Sequence, residues 1–124
     1  MSRQIQQATG MVVDTCDDLK ESVESVVSEM RGNVIKQIRY YAGEVAMGIQ
    51  VGYLQIGMLV DQKTKELVFV GEDYALNSAE GKNIINKVKH KLGVTTAKKL
   101  FRRTGYRISK TTTRNGSVFF QGVK

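Results

Sequence analysis

Between residues 45 and 70 the apolar side chains fall on every second position. Val45, Met47, Ile49 and Val51 alternate with small or polar residues, Gly52 interrupts, and Leu54, Ile56, Met58 and Val60 alternate again. A period of two sends successive side chains to opposite faces of an extended chain, so one face is apolar and the other polar. The charged tract Asp61-Gln62-Lys63-Thr64-Lys65-Glu66 breaks the pattern, and Leu67 to Val70 resume it. With an extended start at Val34, Ile38 and Tyr40, the stretch predicts three or four antiparallel strands joined by hairpins. Gly52 and Gly57 read as a hairpin turn and a strand glycine. The Lys-Ser/Thr that would make them a phosphate loop is missing.

Helical periodicity flanks this region. Leu19, Val23, Val26, Val27 and Met30 recur at three- and four-residue spacing, which predicts an amphipathic helix over 15–31. Thr15, Asp17 or Asp18 can cap its start and Gly32 can supply a left-handed end. Residues 1–14 stay open between an edge strand and a first helical turn. Asn77 begins an Asn-Ser-Ala-Glu capping pattern, followed by the stripe Ile84, Ile85, Val88 and Leu92, and Gly93 is read as that helix's end. Thr95 or Thr96 starts a second short helix, with Ala97, Leu100 and Phe101 facing inward and Gly105 closing it. Alternation around Asn115-Gly116 predicts a final hairpin. The expected fold class is α+β: an antiparallel sheet of about five to six strands, an N-terminal amphipathic helix, and a C-terminal helix pair followed by a β-hairpin. At 124 residues with 41% hydrophobic and 25% charged content, this is a single domain, 1–124.

Residues 38–120 resemble an uncharacterised family of small proteins encoded in algal plastids, cyanobacteria and some bacteria and phages. The likeness is a string of short features. Ile38-Arg39-x-Tyr41-x-Gly43 comes first, then Gly52-Tyr53-x-x-Ile56-Gly57, Glu66-Leu67-Val68 and Asp73-Tyr74. Gly105-Tyr106 and Asn115-Gly116-Ser117 follow ahead of the last apolar strand. The resemblance implies a compact α+β fold with an antiparallel sheet. The family has no agreed activity, so it assigns no catalytic residue.

Catalytic and metal-site patterns are scarce. His90 is the only histidine and has no second His or Cys nearby in sequence, which makes a poor zinc site and favours an exposed helix residue. Cys16 is the only cysteine, so no intramolecular disulfide is possible, which fits a reducing compartment. It lies among Asp14, Asp17 and Asp18, the wrong surroundings for a reactive thiolate, and reads as structural. Asp61, Glu66, Glu72 and Asp73 read as solvated loop acids. No cofactor and no metal is expected. No signal-peptide pattern and no membrane-length apolar run is present, so the chain reads as soluble and cytoplasmic or interior to an organelle.

One feature has a clear direction. Residues 81–124 carry twelve Lys and Arg and no Asp or Glu, whereas the first eighty residues hold seven basic and all twelve acidic residues. The net charge is therefore −5 before Gly81 and +12 from there on. Such a field attracts polyanions. Lys98 with Arg102, and Lys99 with Arg103, sit four apart, as do Lys87 and Lys91. Like charges at that spacing oppose helix formation by a few tenths of a kcal/mol per pair. Arg107, Lys110 and Arg114 follow, with Thr111, Thr112 and Thr113 as hydroxyl donors. The bland alternative is a solvated basic face.

The expected function is non-enzymatic binding of nucleic acid, DNA or RNA, through Lys87, Lys91, Lys98, Lys99, Arg102, Arg103, Arg107, Lys110 and Arg114. Tyr53, Tyr106 and Phe119 are candidates for base stacking, with a core role the commoner fate; Phe69, Phe101 and Phe120 are expected in the core. The alternative is a protein-binding accessory subunit or small inhibitor of a larger assembly, phage-encoded in one version. Such a protein acts through a protein partner, a homodimer or an exposed strand edge, with no membrane partner. An enzyme without a recognisable motif ranks last.

Overall fold

The structure, a computed structural model, describes residues 3–36, 39–40, 43–44, 47–103, 107–114 and 117–123, with side chains described over 3–36 and 47–103. The chain opens with strand β1 (Gln4–Val12), helix α1 (Cys16–Met30) and strand β2 (Asn33–Lys36). A two-residue pair follows, β3 (Arg39–Tyr40) and β4 (Gly43–Glu44), then β5 (Met47–Val51), β6 (Leu54–Val60) and β7 (Glu66–Glu72). Helices α2 (Asp73–Asn77) and α3 (Ala79–Arg103) lead to the hairpin β8 (Arg107–Arg114) and β9 (Ser117–Val123). Five strands make one sheet in the order β1-β7-β6-β5-β2, every pair antiparallel.

The alternating residues do what their period demands. Ile49 lies opposite Ile56, Met58 opposite Phe69 and Val60 opposite Leu67, all on one face. That face meets Leu19, Val23 and Val26 of α1, Leu76 of α2, and Ile84, Ile85, Val88 and Leu92 of α3 in a single buried core. Burying each large aliphatic side chain contributes roughly 1.5–3 kcal/mol. Because β1 and β2 occupy opposite edges, α1 crosses the sheet between them, and the meander β5-β6-β7 fills the space. The two tight turns follow from local chemistry. Gly52, at φ +61°, is the first of two residues joining β5 to β6, the position where a type II′ turn needs glycine. Asp61 Oδ1 accepts from the N–H groups of Lys63 (2.8 Å) and Thr64 (2.9 Å), and Lys65 closes the β6–β7 turn at φ 64°.

Several local readings of the sequence change. Residues 4–12, open in the sequence, form strand β1, so a strand precedes the amphipathic helix; Gly10, at φ +72°, sits where its register with β7 shifts. Gly93 does not end a helix. The expected helix pair is instead the five-residue α2 followed by one uninterrupted 25-residue α3. An interior glycine costs about 1 kcal/mol, but Leu92 beside it is fully buried and, beyond it, Lys99 is paired with Asp18. The cap of α3 is Ser78, one residue past Asn77: its Oγ accepts from Gly81 N–H at 2.9 Å. At the end of α1 the left-handed residue is Arg31, φ 55°, and Gly32 serves another purpose. A Cβ there would stand 2.6 Å from the carbonyl oxygen of Gln50, so glycine lets the chain pass close to β5. Thr15 is the cap of α1, accepting from Asp18 N–H at 3.2 Å. The expected extended residues Ile38 and Val45, the helix-ending Gly105 and the turn Asn115-Gly116 lie outside the described residues. No helix among the described residues is long and apolar enough to cross a membrane.

Candidate nucleic-acid interface

Eight of the twelve C-terminal basic residues stand on α3. At 100° per residue, Lys87, Lys91, Lys98 and Arg102 fall within about 60° of one another, a row about 22 Å long. Lys99 and Arg103 project about 100° further round, continuing the stripe that Ile85, Val88 and Leu92 bury against the sheet and α1. Lys82 and Lys89 lie on the far flank. Of the three like-charged pairs read from the sequence, Lys87/Lys91 and Lys98/Arg102 therefore share one row and Lys99/Arg103 lies on another.

Helix α1 runs antiparallel to α3, and two of its acids, with Asp14 just ahead of it, lie along the seam. Lys87 Nζ donates to Glu29 Oε1 at 2.8 Å, Lys99 Nζ donates to Asp18 Oδ1, and Arg103 donates to Asp14 Oδ2 at 3.2 Å. Lys87 holds the Glu29 carboxyl below its usual 4.5, first by that hydrogen bond and then by its charge. Asp18 is the tightest of the three acids: it is 1% exposed, and its second oxygen, Oδ2, is buried without a hydrogen-bond partner. Thr96 Oγ1, one turn before Lys99, is likewise buried and unpartnered. The apolar seam between the helices thus gives way to an ionic one toward the C-terminus of α3.

Lys82, Lys89, Lys91, Lys98 and Arg102 make no ion pair among the described residues. Lys98 and Arg102 are exposed, and Lys91 is half-buried. Arg107, Lys110 and Arg114 follow on β8, whose backbone pairs with β9 from Arg107↔Val123 to Arg114↔Ser117. Their side chains, those of Thr111, Thr112 and Thr113, those of the stacking candidates Tyr106 and Phe119, and that of Phe120, expected in the core, lie outside the described residues.

Other sequence candidates are placed as follows. Tyr53 is 80% exposed at the β5–β6 turn, not in the core, because the two-residue turn carries it clear of the sheet. Phe69 is fully buried and Phe101 half-buried. His90 is half-buried, not exposed. Cys16 is exposed at the first position of α1 and takes no part in the core. The acids expected to be merely solvated have local tasks: Asp61 caps its turn, Glu66 Oε2 accepts from Gly10 N–H at 2.9 Å, and Asp73 accepts from Asn77. Glu72 keeps one buried, unpartnered carboxylate oxygen. Among the described residues no three His, Cys, Asp or Glu converge as a metal site. Comparison with protein-family models, with curated proteins and with solved structures finds no match.

Proposed function

We propose that the protein binds nucleic acid non-enzymatically through the outer row of α3, Lys91, Lys98 and Arg102, extended by Lys87. The observation that supports this reading is the division of the helix's cations into paired and unpaired ones. Lys87, Lys99 and Arg103 are paired with Glu29, Asp18 and Asp14, whereas Lys91, Lys98 and Arg102 make no ion pair among the described residues. Basic residues in a last helical turn also favour the helix dipole, which accounts for Arg102 and Arg103 in part. That effect is confined to the final turn and leaves Lys91 unexplained. A rigid row of cations suits the regular negative charge of a phosphate backbone, with little reading of bases. Arg107, Lys110 and Arg114 of β8 follow directly and would lengthen the footprint.

Fluorescence anisotropy with labelled single-stranded and duplex oligonucleotides tests this. With three to four phosphates neutralised, log K should fall against log salt with a slope of about −3. Charge reversal at Lys98 and Arg102 should abolish binding at moderate salt while leaving the circular-dichroism spectrum unchanged. A flat salt titration, or full affinity in the Lys98→Glu/Arg102→Glu variant, would sink the proposal.

A further inference from the structure

Tyr53 is a large aromatic side chain held out in water, 80% exposed. It is the second of the two residues joining β5 to β6, directly after Gly52 at φ +61°, and the ladder pair Val51↔Leu54 closes the turn. A two-residue turn leaves the ring little freedom, so stacking a ligand on it costs little ordering. Gln50 Nε2 donates to the Gly52 carbonyl at 3.3 Å and braces the same turn.

The strands beside the turn carry a row of amides. Gln50 lies opposite Asn33 on β2 and opposite Gln55 on β6. Ile49 and Ile56 enter the core against the helices, so their neighbours Gln50 and Gln55 point to the other face of the sheet. Asn33 and Gln55 are exposed, and neither amide makes a hydrogen bond among the described residues. A free aromatic face beside free amide groups suits a flat ring with polar edges.

The turn also adjoins the cationic helix. Lys87 pairs with Glu29 at 2.8 Å, and two residues further on Arg31 ends α1 in the left-handed conformation. Arg31 is exposed and makes no ion pair among the described residues. Gly32 then passes so close to β5 that a Cβ there would stand 2.6 Å from the carbonyl oxygen of Gln50. Lys91, Lys87, Arg31 and Tyr53 therefore follow one another from α3, past the end of α1, to the β5–β6 turn.

We infer that Tyr53 stacks an unpaired base of a single-stranded nucleic acid whose phosphates run past Arg31 to the cations of α3, with Asn33 and Gln55 offering donors and acceptors to the base edge. This rests on the nucleic-acid reading of α3 and narrows it to single strands, because the base faces of a duplex are already stacked on one another. Every base has a ring face, so such a stack tolerates many sequences. A sugar or a peptide could also lie on a tyrosine, but neither makes use of a line of cations leading to it.

Fluorescence anisotropy with labelled oligothymidylate and with a duplex of the same length tests this. The single strand should bind more tightly than the duplex. Tyr53→Ala should lower single-strand affinity about tenfold and leave duplex affinity nearly unchanged. Tyr53→Phe keeps the ring and should bind like wild type. Arg31→Asn, which tolerates the left-handed conformation, should reduce the single-strand salt slope by about 0.7. Failure of both oligonucleotides to bind would overturn the reading of α3 and this inference with it. Binding of both with a preference for the duplex, a Tyr53→Ala variant equal to wild type on the single strand, or an unchanged slope in Arg31→Asn would overturn this inference alone.

Discussion

Glycines 32 and 81 carry more of the architecture than their position in the sequence suggests. A Cβ on Gly81 would overlap the carbonyl of Ala75, where α2 folds back on the start of α3. Gly81→Ala should therefore destabilise by about 2–3 kcal/mol or more, measured by urea denaturation. A milder loss of about 1 kcal/mol is expected for Ser78→Ala, which removes the cap from the same turn. Gly32→Ala meets the backbone of Gln50, which cannot swing aside as a side chain would, and belongs with the first class. The sequence marked Gly32 as important for its conformational freedom. The reason is different, because Arg31 takes the left-handed position and Gly32 supplies clearance between two segments that only the fold brings together.

At the scale of elements, the seam between α1 and α3 sets both stability and the charge left over for a partner. Lys99 is paired with the buried Asp18 and is itself 38% exposed, so the pair is only half shielded from water. Lys99→Met should destabilise by about 2 kcal/mol, because a buried carboxylate is left without its counter-charge. The double variant Asp18→Leu/Lys99→Met should recover most of that loss in the same denaturation assay. Neither change touches the outer row, so affinity for nucleic acid should stay within a few-fold of wild type. Glu29 gives the pH dependence. Its carboxyl titrates lower in the folded chain than in the unfolded one, because of Lys87. The unfolded state therefore binds the proton first, and the contribution of Glu29, complete above about 4.5, fades as pH falls through the folded value. Glu29→Gln should flatten the acid limb of stability against pH below that point. An unchanged acid limb would show that the ion pair does not persist in solution.

For the whole molecule, the −5 and +12 halves of the chain do not remain separate. Folding lays the acidic helix along the basic one and cancels the charges that face each other. What is left is a narrower positive surface than composition implied, Lys91, Lys98 and Arg102 on α3. Salt should weaken oligonucleotide binding steeply, as anisotropy titrations would read.

The antiparallel sheet, the helix at 16–30, the tight turns at Gly52 and Asp61, and the acid-free C-terminal region were all readable from the chain, because each rests on contacts or charges close together in sequence. Period-two alternation and i, i+4 spacing need no knowledge of the partner they face. The strand at 4–12 was not readable, since its pairing with β7 lies more than fifty residues away. Nor was the passage of α3 through Gly93, where burial of Leu92 outweighs a local penalty. Which cations remain open to a polyanion depends on Asp14, Asp18 and Glu29 lying across from Arg103, Lys99 and Lys87. Electrostatic energy depends on distance in space, and only the folded chain sets that distance.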